Sequence, residues 1–397
     1  MSVTSMDPSP PPELTPEEKR RRKLLLAILI TLLALLALVS YLFVRYLNQP
    51  EPLPELIPVP VEVSYPPHYI SSFYDVNGPV GVALSPAQDR IYVTEMRGER
   101  LVKMFDLDGN LLGSFAPPRT NPGERAPVYI ATDSTGRVFV TDRLQHAIFM
   151  YDADGNFLDT ILSPTLSLSE YIAKHTGLTP EPGSFAYNFF QEEVYYRDEH
   201  GAEAALPRPD GATWAPLGIR LDAHNRMYLT DLTQDAHAVM IVPASVVMAP
   251  DWLDFDLNAF KFGVSGQGNG QFLFPNSALP DSQGRIIVSD GNNGRLSVWD
   301  EQGRFLFHFG VGSGDGALNL PRGMAIDAKD RLHVVDAVGQ NVRVYDFSGE
   351  NPEFLYAFGV IGSQSGQFNY PNDIALDVSG RLYIADRENN RIQVWSY

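Results

Sequence analysis

The stretch PNDIALDVSGRLYIADRENNRIQVW, residues 371–395, is the clearest copy of a unit that occurs six times along this chain. Each copy opens with proline and a short strand, passes through a polar turn and reaches a second short strand that ends in an acidic residue. The copies begin at Pro79, Pro127, Pro216, Pro275, Pro321 and Pro371, with spacings of 48, 89, 59, 46 and 50 residues. A period in the forties with several short strands per unit is typical of the blades of a β-propeller.

The strands within one unit predict how such a ring closes. The last unit shows three strands, DIALD, RLYIAD and RIQVW, while other units add a fourth, as in GRFLFHFG (303–310). The segment YISSFYDV (69–76), before the first unit, has the pattern of a fourth strand. We therefore predict an all-β fold, a six-bladed β-propeller over residues 68–397, whose last blade is completed by residues 69–76 so that no sheet edge stays open.

The segments between the units resemble NHL repeats. The resemblance is carried by GVSGQGNGQFLFP (263–275), GVGSGDGALNLP (310–321) and GVIGSQSGQFNYP (359–371), together with GNNGRLSVWD and RENNRIQVWS. It is strong in units four to six, weaker in the first two and weakest in the third. The resemblance implies an NHL-type six-bladed propeller, but such propellers include binding modules, sensor domains and enzymes, so it implies no single activity.

The N-terminus contains a candidate membrane span. The run LLLAILITLLALLALVSYLFV (24–44) carries no charge, and as a helix rising ~1.5 Å per residue it would cross the ~30 Å hydrocarbon layer. Five basic residues precede it (Lys19, Arg20, Arg21, Arg22 and Lys23), and only Arg45 follows. We predict a transmembrane helix over residues 24–47 that anchors the chain in the cell membrane, with a cytoplasmic disordered tail (1–23) and an extracytoplasmic propeller. A cleaved signal peptide is the alternative, although the run is long for one and ends in a poor cleavage site.

A proline-rich segment follows the apolar run. Residues 48–67, NQPEPLPELIPVPVEVSYPP, contain seven prolines in twenty positions. Such a composition favours extended polyproline II. We expect a semi-rigid stalk that holds the propeller away from the membrane.

Charge and cysteine content exclude several function classes. The net charge is −18, and because residues 1–47 carry six basic and four acidic groups, the remainder is more acidic still. A domain with this charge repels phosphate backbones, so no nucleic-acid partner is expected. There is no cysteine, which excludes a disulfide framework, a thiolate metal site and a thiol nucleophile.

Two acidic patterns have structural and chemical interpretations. The acids that end the second strands (Glu95, Asp142, Asp231, Asp290, Asp336 and Asp386) could act in acid–base chemistry, but six equivalent positions favour hydrogen bonding to turn amides. DLDGN (106–110) and DADGN (152–156) begin like calcium loops, yet the twelfth position falls on Pro117 and Ser163 rather than on a bidentate glutamate. Hairpin turns explain them better.

Arginines form the candidate binding site. Arg97, Arg143 and Arg387 follow the acid in the loop between the second and third strands, and Arg322 begins an innermost strand. These positions share one face of a propeller, around the mouth of the central channel. They could bind a carboxylate or another anion, or pair with neighbouring acids. Four polar residues occupy comparable inner positions: Tyr129, Asn276, Asn372 and Asp373.

Residues 163–215 form an insertion between the second and third units. Its aromatic residues include Tyr187, Phe189, Phe190, Tyr195, Tyr196 and Trp214. An insertion of this length in a compact domain is usually functional or disordered, and so many aromatics argue against disorder. We predict that it lies over the arginine-bearing face, either as a lid packed on the blades or as a partner surface.

We therefore expect a membrane-anchored, extracytoplasmic binding or scaffold module for another envelope protein, a peptide or a glycan. The alternative is a propeller lyase or hydrolase acting at the channel mouth with the arginines and Asp373. His146 and His237 occupy comparable places after second strands, but no set of three among the eight histidines does, so a metal centre of the propeller-enzyme type is not expected. No cofactor is predicted, and no nucleophile–base pair identifies an enzyme.

Overall fold

The computed structural model describes residues 15–48, 65–209, 214–233, 236–242 and 261–397. The chain divides into two compact units, Met1–Val63 and Ser64–Tyr397. The stalk predicted over residues 48–67 lies almost wholly outside the described residues, as do positions 1–14 of the predicted tail.

Helix α1 is the described part of the first unit and spans Pro16–Asn48. Its start is set by a capping box, since the Thr15 amide donates to Glu18 Oε2 at 2.9 Å and the Glu18 amide donates to Thr15 Oγ1 at 3.4 Å. Pro16 suits the first helical position because its missing N–H needs no partner there. The prediction of a disordered tail over residues 1–23 is therefore wrong for residues 16–23, which are helical. Residues 16–45 are long and apolar enough to cross a membrane, a test that a signal sequence also passes.

The second unit consists mainly of antiparallel sheets, with strands numbered β1 to β32 in chain order. Sheet 1 contains β2 (Pro79–Leu84), β3 (Ile91–Glu95), β4 (Val102–Phe105) and β5 (Leu111–Phe115). Sheet 2 contains β6 (Pro127–Thr132), β7 (Val138–Asp142), β8 (Ala147–Tyr151), β9 (Phe157–Ser163) and β10 (Leu166–Ser167). Sheet 3 contains β14 (Pro216–Leu221), β15 (Met227–Asp231), β16 (Ala238–Val242) and β17 (Lys261–Phe262).

The remaining large sheets follow the same plan. Sheet 4 contains β20 (Pro275–Pro280), β21 (Ile286–Asp290), β22 (Arg295–Trp299) and β23 (Phe305–Phe309). Sheet 5 contains β24 (Pro321–Ile326), β25 (Arg331–Asp336), β26 (Asn341–Asp346) and β27 (Glu353–Phe358). Sheet 6 contains β1 (His68–Phe73), β30 (Pro371–Leu376), β31 (Arg381–Asp386) and β32 (Arg391–Ser396). Two short parallel bridges lie in the linkers: β18 (Val264–Ser265) with β19 (Gln271–Phe272), and β28 (Val360–Ile361) with β29 (Gln367–Phe368).

The six sheets form a closed ring. Their first strands contact one another in the order β2, β6, β14, β20, β24 and β30, and β30 in turn contacts β2, so these strands surround a common axis. A separate hydrophobic cluster fills each junction between consecutive sheets, including the junction of sheet 6 with sheet 1. Strand β1 pairs antiparallel with β32, as the pattern of YISSFYDV predicts. The fold is an all-β propeller.

The acids at the ends of the second strands are hydrogen-bonded as predicted for a structural role. Each accepts from a backbone amide: Glu95 from Asn77, Asp142 from Ala126, Asp231 from Thr233, Asp290 from Leu273, Asp336 from Asn319 and Asp386 from Asn369. Five of these donors lie in the linker before the first strand, so the acid attaches the linker to its own sheet. DLDGN is a hairpin turn, since Asp106 Oδ1 accepts from the Asn110 amide at 2.8 Å and Gly109 has φ +84.

The insertion has its own secondary structure. It contains β10, helix α2 (Leu168–Thr176) and a three-stranded sheet of β11 (Ala186–Asn188), β12 (Glu193–Arg197) and β13 (Glu203–Pro207). Ser167 and Glu170 form a capping box at the start of α2, and Gly177 ends it in the left-handed conformation. Leu168, Ile172 and Val194 are buried in the cluster between sheets 1 and 2. The insertion is therefore a folded extension of this junction.

Phe73 provides a test of ring closure. It is buried in β1, and its ring centroid lies 5.0 Å from that of Phe105 in sheet 1. Phe73 therefore connects sheet 6, which contains β1 and the C-terminal strands, to sheet 1. We expect Phe73→Ala to lower the free energy of unfolding of residues 64–397 by about 3 kcal/mol, because a large buried ring is lost. Denaturant unfolding measures this, with Tyr74→Ala as control because Tyr74 is 56% exposed. If Phe73→Ala and Tyr74→Ala lower the free energy of unfolding equally, the prediction that Phe73 stabilises ring closure is wrong.

His333 predicts a pH dependence of stability. It is fully buried in β25, with Nε2 2.6 Å from the Tyr397 hydroxyl, and burial lowers its pKa to about 4. Since the unfolded chain binds this proton more readily, the contribution of His333 to stability falls as the pH drops from about 6.5 towards 4.

In His333→Phe this contribution is absent. We expect the difference in unfolding free energy between wild type and variant to shift by roughly 2 to 3 kcal/mol between pH 7 and pH 4. Urea titrations at both pH values give this difference. His200→Phe is the matched control because that side chain is 80% exposed. If the unfolding free energy of His333→Phe depends on pH in the same way as that of wild type, a group other than His333 determines the pH dependence of stability.

Candidate functional site

The predicted arginines lie at one end of the sheets. In an antiparallel sheet, the loop from the second to the third strand and the linker into the first strand lie at the same end. Arg97, Arg143 and Arg387 are in such loops, and Arg322 is the second residue of β24. We call this end of the propeller the linker face.

Three of the four arginines come together there. Glu388 pairs with both Arg97 and Arg387, the latter with 3.2 Å between Arg387 Nε and Glu388 Oε1. The Tyr370 ring lies 5.0 Å from the Arg387 guanidinium, and the Tyr370 hydroxyl lies 3.5 Å from Arg322 Nη2. These contacts place the three guanidiniums around Tyr370 and Glu388. We call Arg97, Arg322 and Arg387 the arginine cluster.

The cluster has fewer negative partners than positive charges. Arg322 Nη1 donates to the neutral Asn276 Oδ1 at 2.7 Å, and its Nε is buried without a hydrogen bond among the described residues. Burial lowers the pKa of Arg387, and the charges of Arg97 and Arg322 lower it further. Arginine remains protonated despite such shifts. One carboxylate, Glu388, therefore faces three permanent positive charges, which suits the binding of an anionic group.

Arg143 is not part of this network. Its side chain is exposed and makes no hydrogen bond or ion pair with the described residues. It lies in the loop that follows β7 in sheet 2, beside the insertion rather than beside Glu388. The predicted convergence of four arginines is thus observed for three.

The polar inner residues lie deeper along the axis. Tyr129, Asn276, Asn372 and Asp373 are all buried. Asn372 Nδ2 donates to the Val80 carbonyl at 2.6 Å, which ties sheet 6 to sheet 1. The Tyr129 hydroxyl has no hydrogen-bond partner among the described residues, and burial raises its pKa. An unpaired buried hydroxyl is costly, but Tyr129 is only 1% exposed, so its hydroxyl lies within the core.

Asp373 is held by an arginine that the sequence analysis did not identify. Arg220 Nη2 of β14 donates to Asp373 Oδ1 of β30, and the Val82 amide donates to Asp373 Oδ2 at 3.1 Å. Sheets 3 and 6 lie opposite each other in the ring, so the ion pair crosses the axis. We call Arg220 and Asp373 the axial pair. Gly323 permits it, since a Cβ there would overlap the Asp373 carboxylate.

The sequence does contain a signal for Arg220. At its register position in the other first strands, the repeats have small or apolar residues: Ala83, Ala131, Leu279, Ala325 and Ala375. A charged residue that replaces alanine on the innermost strand has to be paired across the axis. Comparing the copies at each strand position, and not only at their first residues, would have found it.

The insertion aromatics divide into buried and outer residues. Tyr187 and Trp214 are buried, 1% and 5% exposed, so their assignment to an interaction surface is wrong. Tyr187 packs in the cluster between sheets 1 and 2 and Trp214 in the cluster between sheets 2 and 3. Phe190 is 51% exposed, and Phe189, Tyr195 and Tyr196 are half-buried.

The outer aromatic side chains stack with arginines on the linker-face side of sheet 2. The Arg119 guanidinium lies 4.3 Å from the Tyr195 ring centroid, and that of Arg208 lies 4.4 Å from the Phe189 ring. The insertion contacts the loop after β7, where the Phe189 amide donates to Gln145 Oε1 at 2.8 Å and the Phe189 ring lies 4.7 Å from that of His146. Phe189, Phe190, Tyr195 and Tyr196 form what we call the insertion patch.

The two histidines that follow second strands, His146 and His237, make contacts to backbone carbonyls. His146 Nδ1 lies 3.0 Å from the Trp214 carbonyl oxygen, and His237 Nδ1 lies 3.4 Å from that of Phe272. Within the described residues, no group of three or more His, Asp or Glu side chains has the arrangement of a metal site.

One repeat unit of this chain matches a known family model. Residues 368–395 match the family model of the NHL repeat. A stretch of 102 residues is 33% identical to Protein brain tumor of Drosophila melanogaster, covering 25% of this chain and 10% of that protein. An alignment 134 positions long shows 32% identity to B-box type zinc finger protein ncl-1 of Caenorhabditis elegans and covers 22% of this chain and 16% of that protein. The chain therefore spans less than a fifth of the length of these curated relatives.

Solved structures with a similar backbone have low sequence identity to this chain. A streptogramin B lyase structure is 11% identical, with a TM-score of 0.49, and the match covers 83% of this chain and 98% of that chain. A catalytically inactive virginiamycin B lyase from Staphylococcus aureus with quinupristin is 14% identical, with a TM-score of 0.49, and the match covers 84% of this chain and 98% of that chain. Similarity at this level does not carry an activity over to this chain.

Proposed function

Starting from a chain that carries NHL repeats and folds as a β-propeller, we propose that it is a membrane-anchored binding module. In this proposal, α1 crosses the cell membrane with its N-terminus in the cytoplasm, and the propeller binds a protein, peptide or glycan partner outside the cytoplasm. The five basic residues before the apolar run support this orientation, since basic segments are retained on the cytoplasmic side.

The arginine cluster is the observation that carries the binding proposal. The chain beyond residue 47 is strongly acidic, yet at the channel mouth Arg97 and Arg387 share one carboxylate, and Arg322 beside them has no acidic partner among the described residues. A local positive site in an acidic domain attracts and orients a negatively charged group of a partner while the surrounding surface repels non-specific anions. Three planar guanidiniums offer bidentate hydrogen bonds that match carboxylate geometry.

The insertion patch extends the proposed surface. Aromatic and arginine side chains are enriched at protein interfaces because they bury large areas with little loss of side-chain entropy. Phe190 is exposed beside Phe189, with ring centroids 5.9 Å apart, and Arg208 covers the Phe189 ring. A partner that contacts both the patch and the cluster would meet apolar and cationic groups together.

Asp373 argues against the lyase or hydrolase alternative. The side chain proposed as a catalytic group is fully buried, accepts from the Val82 amide and is paired with Arg220. Burial raises its pKa while Arg220 opposes that shift. A general base has to reach the proton it removes, and this carboxylate is enclosed within the ring.

Charge reversal of the cluster tests the binding proposal. We expect Arg97→Glu with Arg387→Glu to reduce capture of the native partner from an envelope extract at least tenfold, because attraction to an anionic group becomes repulsion. Capture by wild type should also weaken as salt is raised. The readout is quantitative mass spectrometry of proteins and glycans retained by immobilised residues 64–397.

Arg304→Glu is the matched control for this experiment. Its side chain is 77% exposed in the turn between β22 and β23, at the opposite end of the sheets from the linker face. The control should retain the partner at the wild-type level. Equal capture by the double variant and wild type would exclude the arginine cluster as the binding site.

The membrane assignment has its own test. Full-length protein carrying an N-terminal epitope should remain in the membrane after alkaline carbonate washing, and protease added outside the cell should digest the propeller. These outcomes follow from an uncleaved apolar helix. A version whose residues 24–44 are replaced by a cleavable signal peptide should be released as soluble protein. Loss of the epitope from the mature wild-type protein would identify the run as a signal sequence.

A further inference from the structure

A second site lies at the other end of the axis. On the far side of the axial pair from the linker face, the first strands surround an open cavity of about 730 Å³. This volume is in the range of sites that hold small molecules. Aliphatic residues, among them Leu84, Leu221, Ile326 and Leu376, line this cavity together with polar residues near its rim.

The cavity exists because of the residues that face the axis. Four of the six positions in register with Arg220 are alanines, Ala83, Ala131, Ala325 and Ala375, and all of them line the cavity. Small side chains leave the centre of the ring unfilled at this level. Arg220 is the one large polar side chain at these positions, and it also lines the cavity.

Arg220 presents hydrogen-bond donors to this space. Its Nε donates to the Met324 carbonyl at 3.3 Å, its Nη1 to the Ile219 carbonyl at 3.2 Å and its Nη2 to Asp373. A guanidinium has five N–H groups, so two have no acceptor among the described residues. The side chain is 14% exposed while Asp373 is fully enclosed. The positive end of the axial pair therefore points into the cavity.

The charges at the cavity rim are already paired. Asp133, Asp222 and Asp327 line the rim, and each accepts at 2.6 Å from the Nε of an arginine four residues later. These ion pairs reduce the repulsion that the carboxylates would exert on an entering anion. Arg220 is thus the cationic group that faces the interior of the cavity.

We propose that this cavity binds a small monocarboxylate with an unbranched aliphatic chain. The carboxylate accepts from the two free N–H groups of Arg220, and the chain occupies the aliphatic space between the alanine positions and the mouth. Apolar contacts alone would not discriminate between a negative and a positive head group. Because the Arg220 end of the axial pair faces the cavity, the site favours a negative head group. This site is independent of the arginine cluster, which lies beyond the axial pair.

Calorimetric titration with decanoate, below its micelle concentration, tests the proposal. Residues 64–397 are suitable because this compact unit contains every described strand and closes its own ring. We expect decanoate to bind wild type at least tenfold more tightly than decylamine, which has the same number of carbon atoms and the opposite charge. Equal affinity for the two probes, or no binding of decanoate, would overturn the proposal.

Two variants locate the binding. Ala325→Phe places a ring in the cavity, leaves both residues of the axial pair unmutated and should weaken decanoate binding at least tenfold. Val378→Phe adds the same ring at a 90% exposed position at the same end of the sheets, and should leave the affinity unchanged. Wild-type affinity in Ala325→Phe would place the decanoate elsewhere and overturn the proposal.

The double variant Arg220→Leu with Asp373→Leu removes both members of the axial pair, which avoids leaving one buried charge unpaired. It should lose the preference for decanoate over decylamine while it unfolds cooperatively. Retention of that preference would show that Arg220 does not direct the carboxylate. If the double variant does not fold, the comparison of Ala325→Phe with Val378→Phe decides the site.

Discussion

Closure of the ring through the pairing of β1 with β32 is the constraint on which the rest of the propeller depends. An unpaired β32 would leave a row of amides and carbonyls open to aggregation. Strand β1 supplies the missing partners and brings Phe73 onto Phe105 of sheet 1. Because the two sheets at the closing junction come from distant parts of the chain, the whole ring has to form before this junction is complete.

Within that ring, most charged side chains are used by the fold. The acids at the ends of the second strands fix the linkers, and aspartates in the turns between the first and second strands pair with arginines four residues later. The axial pair belongs to a different class, since it joins opposite sheets. A buried ion pair adds little net stability because desolvation offsets the attraction. Here the pair crosses the axis between the linker face and the cavity that Arg220 lines.

The two ends of the axis therefore differ in chemistry. At the linker face, Arg97, Arg322 and Arg387 surround Glu388 and Tyr370, with the insertion patch on the side of sheet 2. At the other end, aliphatic side chains and polar rim residues line an open cavity that Arg220 also lines. A charged partner group and a small amphipathic molecule could be bound at the same time, since the axial pair lies between the sites.

The sequence alone determined the repeating strands, their turns, the completion of the last blade by residues 69–76 and the structural role of the recurring acids. These features are local or repeat at a fixed period, so each copy reports on the others. Only the tertiary structure decided which irregular residues meet. It separated Arg143 from the other arginines, buried Tyr187 and Trp214 at sheet junctions, and paired Arg220 with Asp373, 153 positions apart. Such contacts form between residues that are far apart in the chain and belong to different sheets, so the repeat pattern does not specify them.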